Sequence, residues 1–474
     1  MWLYGWMGTH HEAVAPADSG AMHRPGGATA EHVRRIADLA TRRLLEPPEL
    51  GAPRTADELA AEVGTTITAG GLGADTALRL WTDHLAPACI AVDHPGYLAF
   101  VPGAPTQLAA AFDMVVSTAS IYAGSWLEGA GAAFAENAAL RWVADLAGFP
   151  ETAGGAFVPG GTTGNLSALV AARQRARRTR GAAPTRWAVC VTEETHSSVA
   201  HLASAVMDVD VVVVPGDERG RLTGEALRST VDALTPEQRD GVFAVVATAG
   251  CTNLGVVDDI DGVAHVAHEH GWWLHVDGAY GGAGLAAPSV RHLYTGIERA
   301  DSFMVNPHKW LFAPFDSCAL VYREPAGARL AHSQHADYLD AVNAHDEWNP
   351  ADYGVHLSRR ARGLALWFSL AAHGTDAYRD AIEQSITVTR EAAALIRGAD
   401  HVDLLLEPDL SVLVFARHGW GEAEYDAWAD RLLRDQRAFV APTHHRGQPC
   451  ARLAIVNPLT TTADIGDIIQ TMRH

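Results

Sequence analysis

The sequence predicts an α/β protein with a large domain around a mostly parallel sheet, a small α+β C-terminal domain and an N-terminal helical arm. Three observations carry this. From residue 150, short apolar runs alternate with helical segments, the order required by a parallel sheet with crossover helices. After residue 360 a long helical stretch is followed by strands and helices in separate groups. Before residue 105 the regular periodicity is helical. The 474 residues therefore divide at 1–105, 106–360 and 361–474.

Residues 1–28 are rich in Gly, Pro and His and predict little regular structure. Thr29 is the expected N-cap of a helix carried by Val33, Ile36, Ala37, Ala40 and Leu44, and Pro47-Pro48 stops it. Thr55–Val63 is a second helix. Gly and Pro punctuate His94–Thr106, which must be loop or extended. Leu108–Phe149 reads as two helices broken at Ala123-Gly124-Ser125. Strands are expected at Trp187–Thr192, Val209–Val214, Val242–Thr248, Trp272–Val276, Ser302–Val305 and Ala319–Tyr322. Between them lie helices at Asn165–Thr179, Gly224–Leu234 and Gly262–His270. The chain is then helical to about Arg397. Strands Val402–Leu406, Leu410–Phe415 and Ala451–Val456 and helices Glu422–Gln436 and Thr462–Arg473 complete it.

Composition excludes several classes. A net charge of −20 leaves no basic face for nucleic acid, and no run approaches the length of a membrane span. Five scattered cysteines, odd in number and without a C-x-x-C pair, argue against a disulfide scaffold or zinc site and for a reducing compartment. The N-terminus lacks the basic and apolar regions of a secretory signal, so the cytoplasm is expected. One count is more pointed. Of 36 basic residues only Lys309 is lysine. Arginine serves wherever charge suffices, but it cannot form a Schiff base, and a primary amine can.

Four segments carry chemistry. Pro159–Asn165 (PGGTTGN) precedes a helix, where glycines, threonine hydroxyls and free N–H groups suit a phosphate. Alone it is equally an ordinary turn. Asp277 follows the apolar strand at the carboxyl end, where α/β sheets bind ligands. A lone aspartate there is more commonly a helix-capping or turn residue. Lys309, in Asn306–Trp310 (NPHKW), follows another short strand between apolar flanks. His196, in THSS, offers a flat ring, although most lone histidines are structural. Together a phosphate cradle, an aspartate, a stacking histidine and a reactive lysine are what pyridoxal 5'-phosphate (PLP) requires.

The segments 94–106, 159–169, 195–199, HVDGAYGG (275–282), NPHKWL (306–311), 357–368 and RLAIVNPLTT (452–461) occur in the order found in group II PLP-dependent amino-acid decarboxylases, which this chain resembles. The family includes aromatic-L-amino-acid, histidine and glutamate decarboxylases. The resemblance implies a fold-type I PLP enzyme, a homodimer with shared active sites, and roles for individual residues. Lys309 would form the Schiff base, Asp277 would pair with the pyridine nitrogen and His196 would stack on the ring. Gly161, Thr162 and Asn306 would bind the phosphate. Thr248 would sit near the ring or substrate, and His308 would line the same site. Tyr338, on a loop that the family inserts into the partner's site, would donate the proton, with Tyr353 as a second choice. Phe100 and Val101 would face substrate.

This chain departs from the family pattern at Thr163, where an acidic residue is frequent, at Gly278, where alanine is, and at Gly124, where some relatives carry a ring. The implied reaction is decarboxylation of an aromatic or related L-amino acid to its amine and carbon dioxide. The closest alternative is an oxygen-dependent, aldehyde-forming relative acting on an amino acid such as a substituted cysteine. Those enzymes commonly replace the loop tyrosine with phenylalanine, so Tyr338 favours the simple reaction. A non-catalytic homologue is a third class, and the retention of Lys309 speaks against it.

Overall fold

The computed structural model describes residues 21–23, 26–101, 103–334 and 347–473. These form two units: residues up to Glu46 with Arg54–Ala86, and Pro47–Pro53 with everything from Pro87 onward.

The first unit contains α1 (Gly27–Leu45), α2 (Ala56–Val63) and α3 (Ala74–Leu80). The arm helix begins earlier than Thr29 because Gly26, in an extended conformation, caps it: the Ala30 N–H donates to the Gly26 carbonyl at 3.0 Å. Thr29 lies inside the first turn. At the other end Leu45 is the last helical residue before Pro47. Thr55 and Glu58 cap α2 reciprocally.

In the second unit, α4 (Gln107–Ala119) and α5 (Trp126–Leu146) precede a seven-stranded sheet of order β1-β7-β6-β5-β4-β2-β3. The strands are β1 (Gly154–Val158), β2 (Ala188–Thr192), β3 (Asp210–Val214), β4 (Val242–Thr248), β5 (Trp273–Asp277), β6 (Ser302–Val305) and β7 (Cys318–Tyr322). Only β7 runs against the others. The helices between them are α6 (Gly161–Thr179), α7 (Ser197–His201), α8 (Gly224–Ala233), α9 (Pro236–Gly241) and α10 (Ile260–Glu269), and α11 (Pro325–His332) follows β7. Separate apolar clusters cover the two faces, so every residue of β4 is buried.

Two strands, β1 and the three-residue β10 (Thr443–His445), were not legible. β1 reads GGAFV, and its two glycines look like a turn. A side chain at Gly155 would begin 1.8 Å from the Leu320 carbonyl, so close pairing with β7 demands glycine there.

The helical stretch after residue 360 is two helices, α12 (Leu364–His373) and α13 (Thr375–Gly398), separated by Gly374 at φ +81°. A second sheet of order β10-β11-β9-β8 follows, formed by β8 (Val402–Leu406), β9 (Val412–Arg417), β10 (Thr443–His445) and β11 (Gln448–Ala454). It packs on α13, α14 (Glu422–Arg434) and α15 (Thr462–Gln470) through Ile396, Trp428, Leu432 and Ile468. Arg359 and Glu136, both fully buried, form a two-point ion pair at 2.7 and 2.9 Å that ties α5 to the turn before α12.

Candidate active site

The site is built where strands end. Parallel pairing aligns Thr248 of β4 with Asp277 of β5, and Asp277 with Met304 of β6. The turn after β6 then carries Asn306, His308 and Lys309 to the same edge, with the Lys309 N–H donating to the Asn306 carbonyl at 2.9 Å. β1 delivers the chain to the start of α6 beside them. The result is a cavity of about 260 Å³ lined by Gly161, Thr162, His196, Thr248, Asp277, Asn306, His308 and Lys309. A larger groove of about 380 Å³ lies in the first unit among Arg35, Asp38, Arg42, Asp75 and Arg79. It holds no lysine, histidine or cysteine, so chemistry rather than size selects the first cavity.

The cavity fits a polar, anionic ligand. α6 starts at Gly161 with no side chain capping it, so its first N–H groups are free for an anion. Thr248 Oγ1 and Asn306 Oδ1 are buried without hydrogen-bond partners. His308 Nδ1 accepts from the Ser317 N–H at 3.0 Å, which puts its proton on Nε2, 3.5 Å from Asn306 Nδ2. Two donors face each other there. Half a turn of the amide pairs Oδ1 with His308 and frees the NH₂ for an anion. Burial pushes His308 down to about 4, so it stays neutral.

Asp277 is buried. Its Oδ1 accepts from the Ala279 N–H at 3.0 Å and its Oδ2 from Asn165 Nδ2 at 2.9 Å. Lys309 titrates below the usual lysine range, chiefly through burial and against the pull of Asp277. A larger neutral fraction makes the amine a better nucleophile. His196 caps α7, with Nδ1 accepting from the Ser198 N–H at 3.2 Å. Much of its ring is open to the cavity, yet packing on the remainder lowers its pKa, with Asp277 opposing.

Other expected residues lie apart. Phe100 is exposed and Val101 is buried in the core, and neither is among the cavity-lining residues. Their loop instead contributes Gly103, whose N–H donates to the His308 carbonyl at 3.0 Å. Tyr353 is buried against Trp348, ring centroids 4.0 Å apart, and is not among the lining residues. Tyr338 lies outside the described residues.

Sequence reasoning missed Asn165, His275 and Arg452. The Arg452 guanidinium donates to the carbonyls of Thr252, Asn253 and Phe100, and its Nη2 is buried without a partner. RLAIVNPLTT contained the signal for it, a lone cation in an apolar strand. Among the described residues no cluster of His, Cys, Asp or Glu could hold a metal, and no helix is long and apolar enough to cross a membrane.

A family model described as the pyridoxal-dependent decarboxylase conserved domain matches residues 75–418. The chain is 30% identical over 397 residues to the aromatic-L-amino-acid decarboxylase of Bacillus atrophaeus, with 81% of each chain covered. It is 26% identical over 354 residues to the phenylacetaldehyde synthase of a Rosa hybrid cultivar, covering 72% of this chain and 69% of that one. Among solved structures it is similar to Oryza sativa TDC with PLP and tryptamine, at a TM-score of 0.83 and 23% identity over 97% of this chain and 98% of that one. At that identity the likeness is one of fold.

Proposed function

This chain belongs to the pyridoxal-dependent decarboxylase family and uses PLP, and from that premise we propose that it decarboxylates an aromatic or related L-amino acid to the amine and carbon dioxide. The observation that carries the reading is the cavity itself, where the chain's one lysine, a buried aspartate, a histidine ring and an uncapped helix N-terminus meet.

When bound, PLP supplies an aldehyde for the amine and a ring that accepts the electron pair left behind as carbon dioxide departs. The rest is done by the chain. The N–H groups opening α6, with Thr162 and Asn306, receive the phosphate. Asp277 holds a proton on the ring nitrogen. His196 packs against the ring face. Lys309 would hold the aldehyde, and its Nζ is the atom there that can take up and return a proton. Arg452 supplies a buried cation behind Thr252, which also lines the cavity, and a carboxylate is the group that suits it. Tyr338 holds the proton delivered to the substrate's Cα.

We propose a homodimer in the cytoplasm. Leu108, Met114 and Val115 on α4 and Leu127 and Phe134 on α5 are exposed, an apolar surface of the kind a second copy covers. Cys190, Cys251, Cys318 and Cys450 are buried thiols outside any disulfide, as a reducing compartment would keep them.

The similarity to a phenylacetaldehyde synthase supports one second reading, an oxygen-dependent, aldehyde-forming reaction. Mass spectrometry of products from a panel of L-amino acids, in air and without oxygen, separates the two. An amine in both conditions supports the proposal. An aldehyde with peroxide, formed in air alone, overturns it in favour of the second reading.

A further inference from the structure

Beneath Asp277 lies a file of buried polar side chains that the proposed reaction does not itself use. Trp273 Nε1 donates to Ser302 Oγ at 2.8 Å. Ser302 Oγ and His275 Nδ1 are 2.8 Å apart, as are His275 Nε2 and Asn165 Oδ1. Asn165 Nδ2 donates to Asp277 Oδ2 at 2.9 Å. Ser302 and His275 are wholly inaccessible, and Asn165 is 1% exposed.

The direction of every bond is fixed from both ends. An indole can only donate, so the Ser302 hydroxyl proton is free to pass on to His275 Nδ1. A carboxylate can only accept, so Asn165 turns its NH₂ to Asp277 and its oxygen to His275. His275 must then carry its proton on Nε2 and remain neutral. Burial, which pulls it down to about 4 despite the nearby carboxylate, agrees. Four bonds of one sense polarise each other toward Asp277.

We infer that Asn165 and His275 are positioning residues for Asp277. A one-way hydrogen-bond chain from the Trp273 indole would hold the carboxylate in one orientation, with Oδ2 engaged from below, facing the cofactor's ring nitrogen. The inference rests on the reading that Asp277 faces that nitrogen.

The test loads the holoenzyme with PLP labelled at the pyridine nitrogen. Nitrogen NMR then reads ring protonation, and titration of cofactor-free protein with PLP gives the dissociation constant. Asp277→Asn should move the resonance to that of an unprotonated ring. Asn165→Leu should move it in the same direction and weaken PLP binding about tenfold, the scale of one charge-assisted hydrogen bond. His275→Leu should shift it less, and His275→Gln, which keeps a donor near the Nε2 position, should restore it.

A shift with Asp277→Asn, but wild-type spectra for Asn165→Leu and His275→Leu, would overturn the positioning role and leave the Asp277 reading intact. A wild-type spectrum for Asp277→Asn would overturn the Asp277 reading itself. Should Asn165→Leu not fold, the two His275 variants decide. Different spectra support the chain, and identical spectra overturn it.

Discussion

A methyl group at Gly103 would stand 1.6 Å from the carbonyl oxygen of Lys309. The loop at 94–106 is thus pressed against the backbone of the turn that carries the amine. Gly103→Ala should cost about 1–3 kcal/mol of stability through overpacking and weaken PLP binding about tenfold by moving Lys309. Gly327→Ala, in α11 with nothing within 4 Å of the new methyl, should be neutral or stabilising by up to about 1 kcal/mol. Urea unfolding of both variants checks the contrast. Equal midpoints would refute it.

Borohydride reduction of the PLP-loaded protein should fix the cofactor on one peptide, the one containing Lys309. Lys309→Arg should take no label and lose activity by at least about a hundredfold. Peptide mapping by mass spectrometry reads the first outcome, and label on any other residue would contradict the assignment.

Acid should destabilise the cofactor-free protein for a specific reason. His275, His308 and His356 are each held at about 4 by burial, against 6.5 when unfolded. Their stabilising contribution is complete above 6.5 and is lost as pH falls through 4. Asp258 works in the opposite sense. Burial raises its carboxyl from 3.8 to about 7, so its contribution is complete below 3.8 and lost as pH rises through 7. Between pH 6.5 and 4, three groups oppose one. Unfolding should take up about two protons net, and stability should fall as pH is lowered. Urea midpoints measured through this range should decline; a flat or rising series would show that the buried imidazoles do not govern acid stability.

The exposed surface on α4 and α5 gives a fourth test. Phe134 is 71% exposed and Val115 55%. Phe134→Asp with Val115→Asp should convert a dimer to monomers in sedimentation velocity, and activity should fall with it if the sites are shared. A monomeric wild-type protein would refute the dimer directly.

The parts legible in the sequence share a cause. Lys309 and Asp277 each follow an apolar strand, and a parallel sheet sends such residues to one edge. Asn165 and His275 were not legible because their partners are remote: 112 residues separate Asn165 from Asp277, and 110 separate it from His275. No local pattern encodes such pairings. β1 was hidden for a different reason, since the glycine that close pairing requires at position 155 is also the residue that marks turns. The cap of α1 was misplaced because Gly26 leaves its helix without a side-chain cap, so no polar residue marked the start.

With one lysine in 474 residues, and that one lining the cavity, the protein offers almost no decoys to an aldehyde. Pyridoxal phosphate in excess ordinarily condenses with surface ammonium groups and inflates any count of bound cofactor. Here every other basic side chain is a guanidinium or an imidazole, and apart from the chain's α-amine the stoichiometry of covalent cofactor equals the occupancy of the site. The molecule is its own blank for titration.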